Sequence, residues 1–258
     1  MASIGGILLD LDGVLYVDDV LIDGALAALD DLQQRQVPVR YITNTSTRTA
    51  QQVCERLCRL GLPAVPEQVF SAVEATRLWL EARAITRIAP LVSDEVQTYL
   101  ASRFELDEER PEAVVVGDIG DRWNYQLLNQ AFRWLMDGAM LVCVHRNRYW
   151  QTGNALSLDI GAFVAGLEYA AGVKATLVGK PAAAFFESAC ASLAVPPAQV
   201  LVVGDDIESD IGGAQRAGCR GVQVETGKYR AALAQRSQIS PDYQIPSIAA
   251  LPHLLDRL

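Results

Sequence analysis

Short apolar runs alternate with amphipathic stretches along almost the whole chain, and this alternation limits the folds open to it more than any other feature. Runs rich in Val, Ile and Leu lie at 7–11, 37–43, 88–92, 114–116, 140–144, 176–178 and 200–203, with a shorter one at 221–224. Between them, 24–35, 49–60, 124–136, 161–171 and 183–193 repeat apolar residues at helical spacing. Repeated strand–helix units with near-continuous apolar strands predict a parallel sheet covered by helices on both faces. The fold class expected is α/β, with a Rossmann-like, doubly wound parallel sheet as its core. Ligands of such open sheets bind beyond the carboxyl ends of the strands. Polar residues that directly follow the apolar runs are therefore the ones to weigh.

Composition excludes several classes of function. The chain has 258 residues and a net charge of -9, with a sequence pI near 4.8 and a positive mean hydropathy. An acidic chain with scattered Arg and Lys lacks the basic face of a nucleic-acid binder. An anionic substrate would need a local positive site built from a few cations or a metal. No apolar stretch approaches the ~20 residues of a membrane span, so no membrane partner is expected. The start "MASIGGILLDLDG" has no basic stretch or long apolar run, and a cytoplasmic location is expected. The five cysteines show no paired metal spacing, and their odd number suits a reducing compartment. Cys54 and Cys58 are expected to share one buried helix face.

Four run ends carry charged or hydroxyl side chains. The first ends at Asp10 and Asp12, followed by Gly13. Period-two alternation would put both carboxylates on one face if the strand stays extended. A glycine turn there could cradle an anion with its backbone N–H groups. The second ends at Thr43 and Asn44, where a hydroxyl could donate to a phosphate oxygen. Thr47 or Thr49 is the better placed to cap the next helix. The third ends at Gly179, Lys180 and Pro181, with Pro181 suited to a first helical turn. A lysine near a helix start is badly placed by dipole alone, which hints at a partner anion. A solvated surface lysine is the plainer alternative. The fourth, "VLVVGDDIESD", sets Asp205, Asp206 and Asp210 within one loop and the start of a helix. Carboxylates on a short turn make an oxygen site for Mg²⁺, although Ser209 or Asp210 could instead cap the helix. A second "VVVGD", ending at Asp118, lacks the acidic helix start, so Asp118 and Asp121 read as turn and cap. The only histidines are His145 and His253; His145 reads as a hydrogen-bonded strand end.

In order, "DLDGVLY", "YITNTS", "GKP" and "VGDDIESD" resemble the four motifs of the haloacid dehalogenase superfamily of phosphohydrolases. An insertion between the second and third motifs is similar to that of the NagD-like subclass. Within it, "RYWQTGNALSLDIGAFVAGLEYAAGVKATLVGKP" and "GDDIESDIGGAQRAGCRGVQVETGKYR" most resemble the phospholysine/phosphohistidine/inorganic pyrophosphate phosphatase group and its hydrolase-domain-containing relatives. The resemblance implies a catalytic core at 1–77 and 174–258 and an α/β cap at 78–173, set over the strand ends.

It also implies roles. Asp10 would be the nucleophile and Asp12 the general acid/base. Thr43 and Asn44 would bind the phosphoryl group, and Lys180 would balance charge. Asp10, Asp205 and the carbonyl of Asp12 would hold Mg²⁺, supported by Asp206 and Asp210. The intact pair of Asp10 and Asp12 favours transfer to water over attack on a carbon–halogen bond. Thr45 and Arg48, in "NTSTRT", are candidates for the cleft mouth. Arg146, Asn147 and Tyr149, with Arg148 and Asp159 nearby, are candidate substrate contacts from the cap. A homodimer joined through the cap is implied as well. The substrate would be a small phosphorylated molecule or a phosphoamino acid: a phosphate monoester, a phosphoramidate or pyrophosphate. A sugar phosphate, a nucleotide or pyridoxal phosphate would use the same chemistry. A non-catalytic phospho-acceptor or interaction protein is the alternative of another class.

Overall fold

The computed structural model describes residues 4–152 and 155–258. Two compact units divide the chain. One comprises the residues up to Thr43, Ala50–Phe70 and Lys180–Leu258; the other comprises Asn44–Thr49 and Ser71–Gly179. The insertion expected at 78–173 lies within the second unit, which is wider at both ends because the helix Ala72–Glu81 and the strand Thr176–Leu177 belong to it.

The first unit is built on a six-stranded sheet. Its order is Tyr243–Ile245, Arg220–Val224, Val200–Gly204, Gly6–Asp10, Val39–Thr43 and Val69–Ser71. Gly6–Asp10 runs parallel to both of its neighbours, with Leu9 opposite Val203 on one side and Tyr41 on the other. All five residues of that strand are buried, the pattern of a central strand covered on both faces. Ile7 and Leu9 pack in one apolar cluster with Leu201, Val203, Val222 and Val224. Leu8 and Val202 are also fully buried and face the opposite side by alternation. The helix Ala25–Gln34 buries Ala25, Ala28, Leu29 and Leu32, one stripe at helical spacing, and it closes the first face. The helix Ala183–Leu193 brings buried Phe185 and Phe186 to the sheet.

The second unit has its own five-stranded parallel sheet, ordered Thr176–Leu177, Met140–Cys143, Ala113–Val116, Arg87–Leu91 and Glu105–Leu106. Val114, Val116, Leu141 and Cys143 pack with Trp134, Leu135 and Val164. An antiparallel hairpin, Tyr149–Thr152 with Ala155–Leu158, stands apart from that sheet. The side chain of Trp150 lies outside the described residues.

Several local expectations change. The run at 176–178 does not end a core strand, because Thr176 and Leu177 pair with Val142 and Cys143 of the second sheet. Pro181 precedes its helix rather than opening it: Ala182, in extended backbone, is the N-cap, and the Lys180–Pro181 peptide is cis. Asp118 does close a turn, accepting from the Gly120 N–H at 2.9 Å. The cap of the following helix, however, is Asn124, which accepts from the Leu127 N–H. Cys54 is buried but Cys58 is exposed. The buried stripe of that helix is Val53, Cys54 and Leu57, and Cys58 falls off its edge.

Candidate active site

Three acidic side chains meet at the strand ends of the first unit. Asp10 is the last residue of its strand, and Asp205 directly follows Gly204, the last residue of the neighbouring one. Asp210 lies in a wide helical turn, Ile207–Gly212. Ligand oxygens of Asp10, Asp205 and Asp210 all lie within 4.8 Å of one another. Their burial is nearly complete, at 7%, 2% and 1% exposure. Three carboxylates so close and so dry repel one another unless positive charge is supplied.

Lys180 supplies part of it. Its ammonium is 4% exposed and lies 2.8 Å from Asp10 Oδ1 and 2.6 Å from Asp210 Oδ1. Burial alone would lower the lysine's pKa, but Asp10 and Asp210 raise it well above the ordinary value. The anion expected near this lysine is therefore this pair of carboxylates, and a solvated surface lysine is ruled out. The second oxygen of Asp210 accepts from the Asp206 N–H at 3.1 Å. Asp206 itself caps the turn, its Oδ1 taking the N–H groups of Glu208 and Ser209 at 3.0 and 2.9 Å. The cap expected from Ser209 or Asp210 is therefore Asp206, because Asp210 turns inward to Lys180. Among the described residues, Asp206 is outside the clustered carboxylates.

Asp205 is the least compensated of the three. Its Oδ2 accepts from the Lys228 N–H at 2.6 Å. Its Oδ1 is buried with no hydrogen-bond partner among the described residues. Burial, then the charges of Asp10 and Asp210, push its pKa up to about 7. Burial, with Asp10 next, pushes Asp210 up to about 6. A buried carboxylate oxygen with no donor, beside two more carboxylates, fits a hard divalent cation such as Mg²⁺. Asp10, Asp205 and Asp210 are the side chains placed to hold it.

Asp12 does not share the setting of Asp10. The strand ends at Asp10, and the Leu11 carbonyl accepts from the N–H groups of Val14 and Leu15 at 3.3 and 2.9 Å, turning the chain sharply. Alternation therefore stops, and Asp12 is exposed where Asp10 is buried. Gly13 completes the turn with a φ of +84°, and a Cβ there would lie 2.0 Å from Asp205 Oδ2. Thr43 ends its strand and is buried.

Two family profiles match the chain: haloacid dehalogenase-like hydrolase over residues 7–103 and HAD-hydrolase-like over 177–251. The haloacid dehalogenase-like hydrolase domain-containing protein 2 of Bos taurus is 38% identical over 256 residues, covering 99% of this chain and 96% of that one. This chain belongs to the haloacid dehalogenase-like hydrolases. The phospholysine phosphohistidine inorganic pyrophosphate phosphatase of Homo sapiens is 34% identical over 262 residues, covering 99% and 95% of the two chains. The 4-nitrophenylphosphatase of Thermotoga maritima superposes with a TM-score of 0.91 at 25% identity, covering 97% of each chain. NagD of E. coli, at 23% identity and a TM-score of 0.88 over 96% of this chain and 98% of its own, shares the fold. Within the haloacid dehalogenase-like hydrolases the chain thus has the NagD-like fold, and it is a phosphohydrolase.

The other candidate residues of this hydrolase lie in the second unit. Asn44, Thr45 and Arg48 fall in its Asn44–Thr49 segment, with Arg48 exposed. The segment is anchored by buried Ser46, whose hydroxyl oxygen accepts from the Asp118 N–H at 3.2 Å and lies 3.2 Å from His145 Nε2. His145 is thus a buried, hydrogen-bonded strand end. Arg146 pairs with buried Glu168 through both terminal nitrogens, at 3.2 and 2.6 Å. The Asn147 carbonyl accepts from the Gly161 N–H at 3.0 Å, and Asp159 caps the helix Ile160–Ala171. Arg148 stacks on Tyr149, which is exposed. Sequence reasoning passed over Thr226, Gly227 and Lys228. They follow the apolar run at 221–224, so the rule that picked out the other motifs points to them too.

Proposed function

We propose that this phosphohydrolase is a Mg²⁺-dependent phosphatase that acts on a phosphate monoester, a phosphoramidate or pyrophosphate. The phosphoryl group passes through Asp10. The observation that carries this reading is Asp205 Oδ1, buried beside Asp10 and Asp210 with no hydrogen-bond partner among the described residues. Mg²⁺ held by these residues would supply the positive charge that a carboxylate needs to approach a phosphate dianion.

The chain's own groups divide the remaining work. Lys180, fixed between Asp10 and Asp210, holds the Asp10 oxygen in position. Asp10 attacks phosphorus, and an acyl phosphate on its carboxyl splits one hard displacement into two easier ones. Asp12, on the turn and open to solvent, gives its proton to the leaving oxygen and then takes one from the water that cleaves the acyl phosphate. The Thr43 hydroxyl and the Asn44 N–H would hold the phosphoryl oxygens. Asp206, by fixing the turn that carries Asp210, acts through position.

The family names of the relatives suggest the panel for a test. Turnover would be measured with Mg²⁺ on phosphohistidine, phospholysine, pyrophosphate, 4-nitrophenyl phosphate, sugar phosphates, nucleotides and pyridoxal phosphate. Asp10→Asn is expected to abolish hydrolysis of every substrate, and chelation to do the same reversibly. Wild-type turnover by Asp10→Asn would sink the mechanism. A long-lived phosphorylated Asp10 without turnover would favour the phospho-acceptor alternative.

A further inference from the structure

The loop after the strand Arg220–Val224 is fitted into the acidic site. The Thr226 hydroxyl donates to the Gly13 carbonyl. Gly227, at a φ of +61°, lies so close that a Cβ would stand 2.2 Å from Asp205 Oδ2 and 2.4 Å from Gly13 Cα. The Lys228 N–H then donates to the same Asp205 oxygen at 2.6 Å. Of these three residues, Lys228 holds the Asp205 carboxylate by one oxygen, and the other oxygen has no partner among the described residues.

The side chain of Lys228 is the part of this loop with no structural task. It is exposed, and its ammonium makes no hydrogen bond or ion pair among the described residues. Its backbone N–H nonetheless rests on Asp205 Oδ2, which places the residue beside the cluster of Asp10, Asp205 and Asp210. Composition sharpens the point. The chain contains three lysines against nineteen arginines, and two of the three stand at this one acidic cluster. A lysine offers a compact, mobile point charge where an arginine offers a broad planar fork. Lys180 is already committed to two carboxylates.

We propose that Lys228 is a second cation of the phosphoryl site, one that meets the substrate's phosphate oxygens while Lys180 holds the carboxylates. The proposal rests on the phosphatase reading above. A phosphate dianion entering beside Asp10, Asp205 and Asp210 brings more negative charge than one metal ion and Lys180 offset. An exposed ammonium on a loop pinned to Gly13 and Asp205 lowers that repulsion.

The test compares Lys228→Met and Lys228→Arg with wild type. Lys174→Met, in the second unit, removes the same charge from a residue with no place in the site. Lys228→Met is expected to lower kcat/KM by about 10–100-fold, the range for a charged hydrogen bond, with most of the loss in KM. Its affinity for orthophosphate, titrated by calorimetry with Mg²⁺ present, should fall by a similar factor. Lys228→Arg should recover part of both, and Lys174→Met neither. A Lys228→Met enzyme with wild-type KM and wild-type orthophosphate affinity would overturn the proposal, as would a change in melting temperature alone. If wild type hydrolysed nothing on the panel, the phosphatase reading would fail instead. Orthophosphate binding by the two variants would still decide the lysine.

Discussion

Lys180 shows how one side chain can serve both stability and chemistry. It stands between two buried carboxylates, 2.8 Å from one and 2.6 Å from the other. Removing one partner of a buried ionic group strands the rest, at a typical cost of about 3–5 kcal/mol. Lys180→Met is therefore expected to lose about that much stability at neutral pH by urea denaturation without metal, and turnover by at least ~10²-fold. The stability loss should shrink as pH falls, because Asp210 takes up a proton near pH 6. A Lys180→Met protein as stable as wild type at pH 8 would mean that the carboxylates find another counter-charge. Lys180 was legible in the sequence because a lysine sat where a helix dipole disfavours it. Its partner Asp210 was read as a metal support or a helix cap, and the geometry adds the ion pair with Lys180.

At the scale of elements, the site depends on two turns that touch. Gly13 closes the turn after the first strand, and its missing side chain is the space that Asp205 Oδ2 occupies. Gly13→Ala combines a Cβ only 2.0 Å from Asp205 Oδ2 with a φ of +84°. It is expected to displace Asp205, lower turnover by ~10²-fold or more, and raise the Mg²⁺ concentration needed for half-activation. Gly61 is the control: its φ is +83°, yet a Cβ there meets nothing within 4 Å. Gly61→Ala should cost about 1–2 kcal/mol of stability and leave kinetics alone. Equal kinetic effects of the two changes would argue against the close packing around Asp205. The strands that deliver Asp10, Thr43 and Asp205 were readable as apolar runs because periodicity is a local property. The strands Val69–Ser71 and Tyr243–Ile245 were not, since three residues are too few to show a period. The different burial of Asp12 was not legible for a related reason. Alternation predicts a face only while the backbone stays extended, and the hydrogen bonds to the Leu11 carbonyl end that at once.

For the whole molecule, the acidic cluster ties folding to pH and, through the proposed cation, to metal. Asp205 moves from an unfolded value of 3.8 to about 7 in the folded chain, and Asp210 shifts in the same direction. A carboxyl with a raised folded pKa keeps its proton in the fold after the unfolded chain has lost it. Metal-free protein should therefore lose stability as pH rises from about 4 towards about 7. The proposed Mg²⁺ would bind the ionised carboxylates, so its stabilising effect should grow over the same interval. Melting curves at pH 5 and pH 7.5, with and without Mg²⁺, check this; each ~1 kcal/mol corresponds to about 2–4 °C in a chain of this size. An equal Mg²⁺ shift at both pH values would count against a cation held by these three acids. The sequence by itself determined the α/β class, the order of four polar motifs after apolar runs, and the chemistry those residue types can perform, because each depends on neighbours a few positions apart. Only the tertiary structure decided which carboxylate is buried and which is open, where the chain divides into two units, and that residues near 13 and 226 share a wall of the site. Those outcomes depend on groups up to 213 positions apart meeting through a hydrogen bond, and no local pattern encodes which distant backbone will arrive.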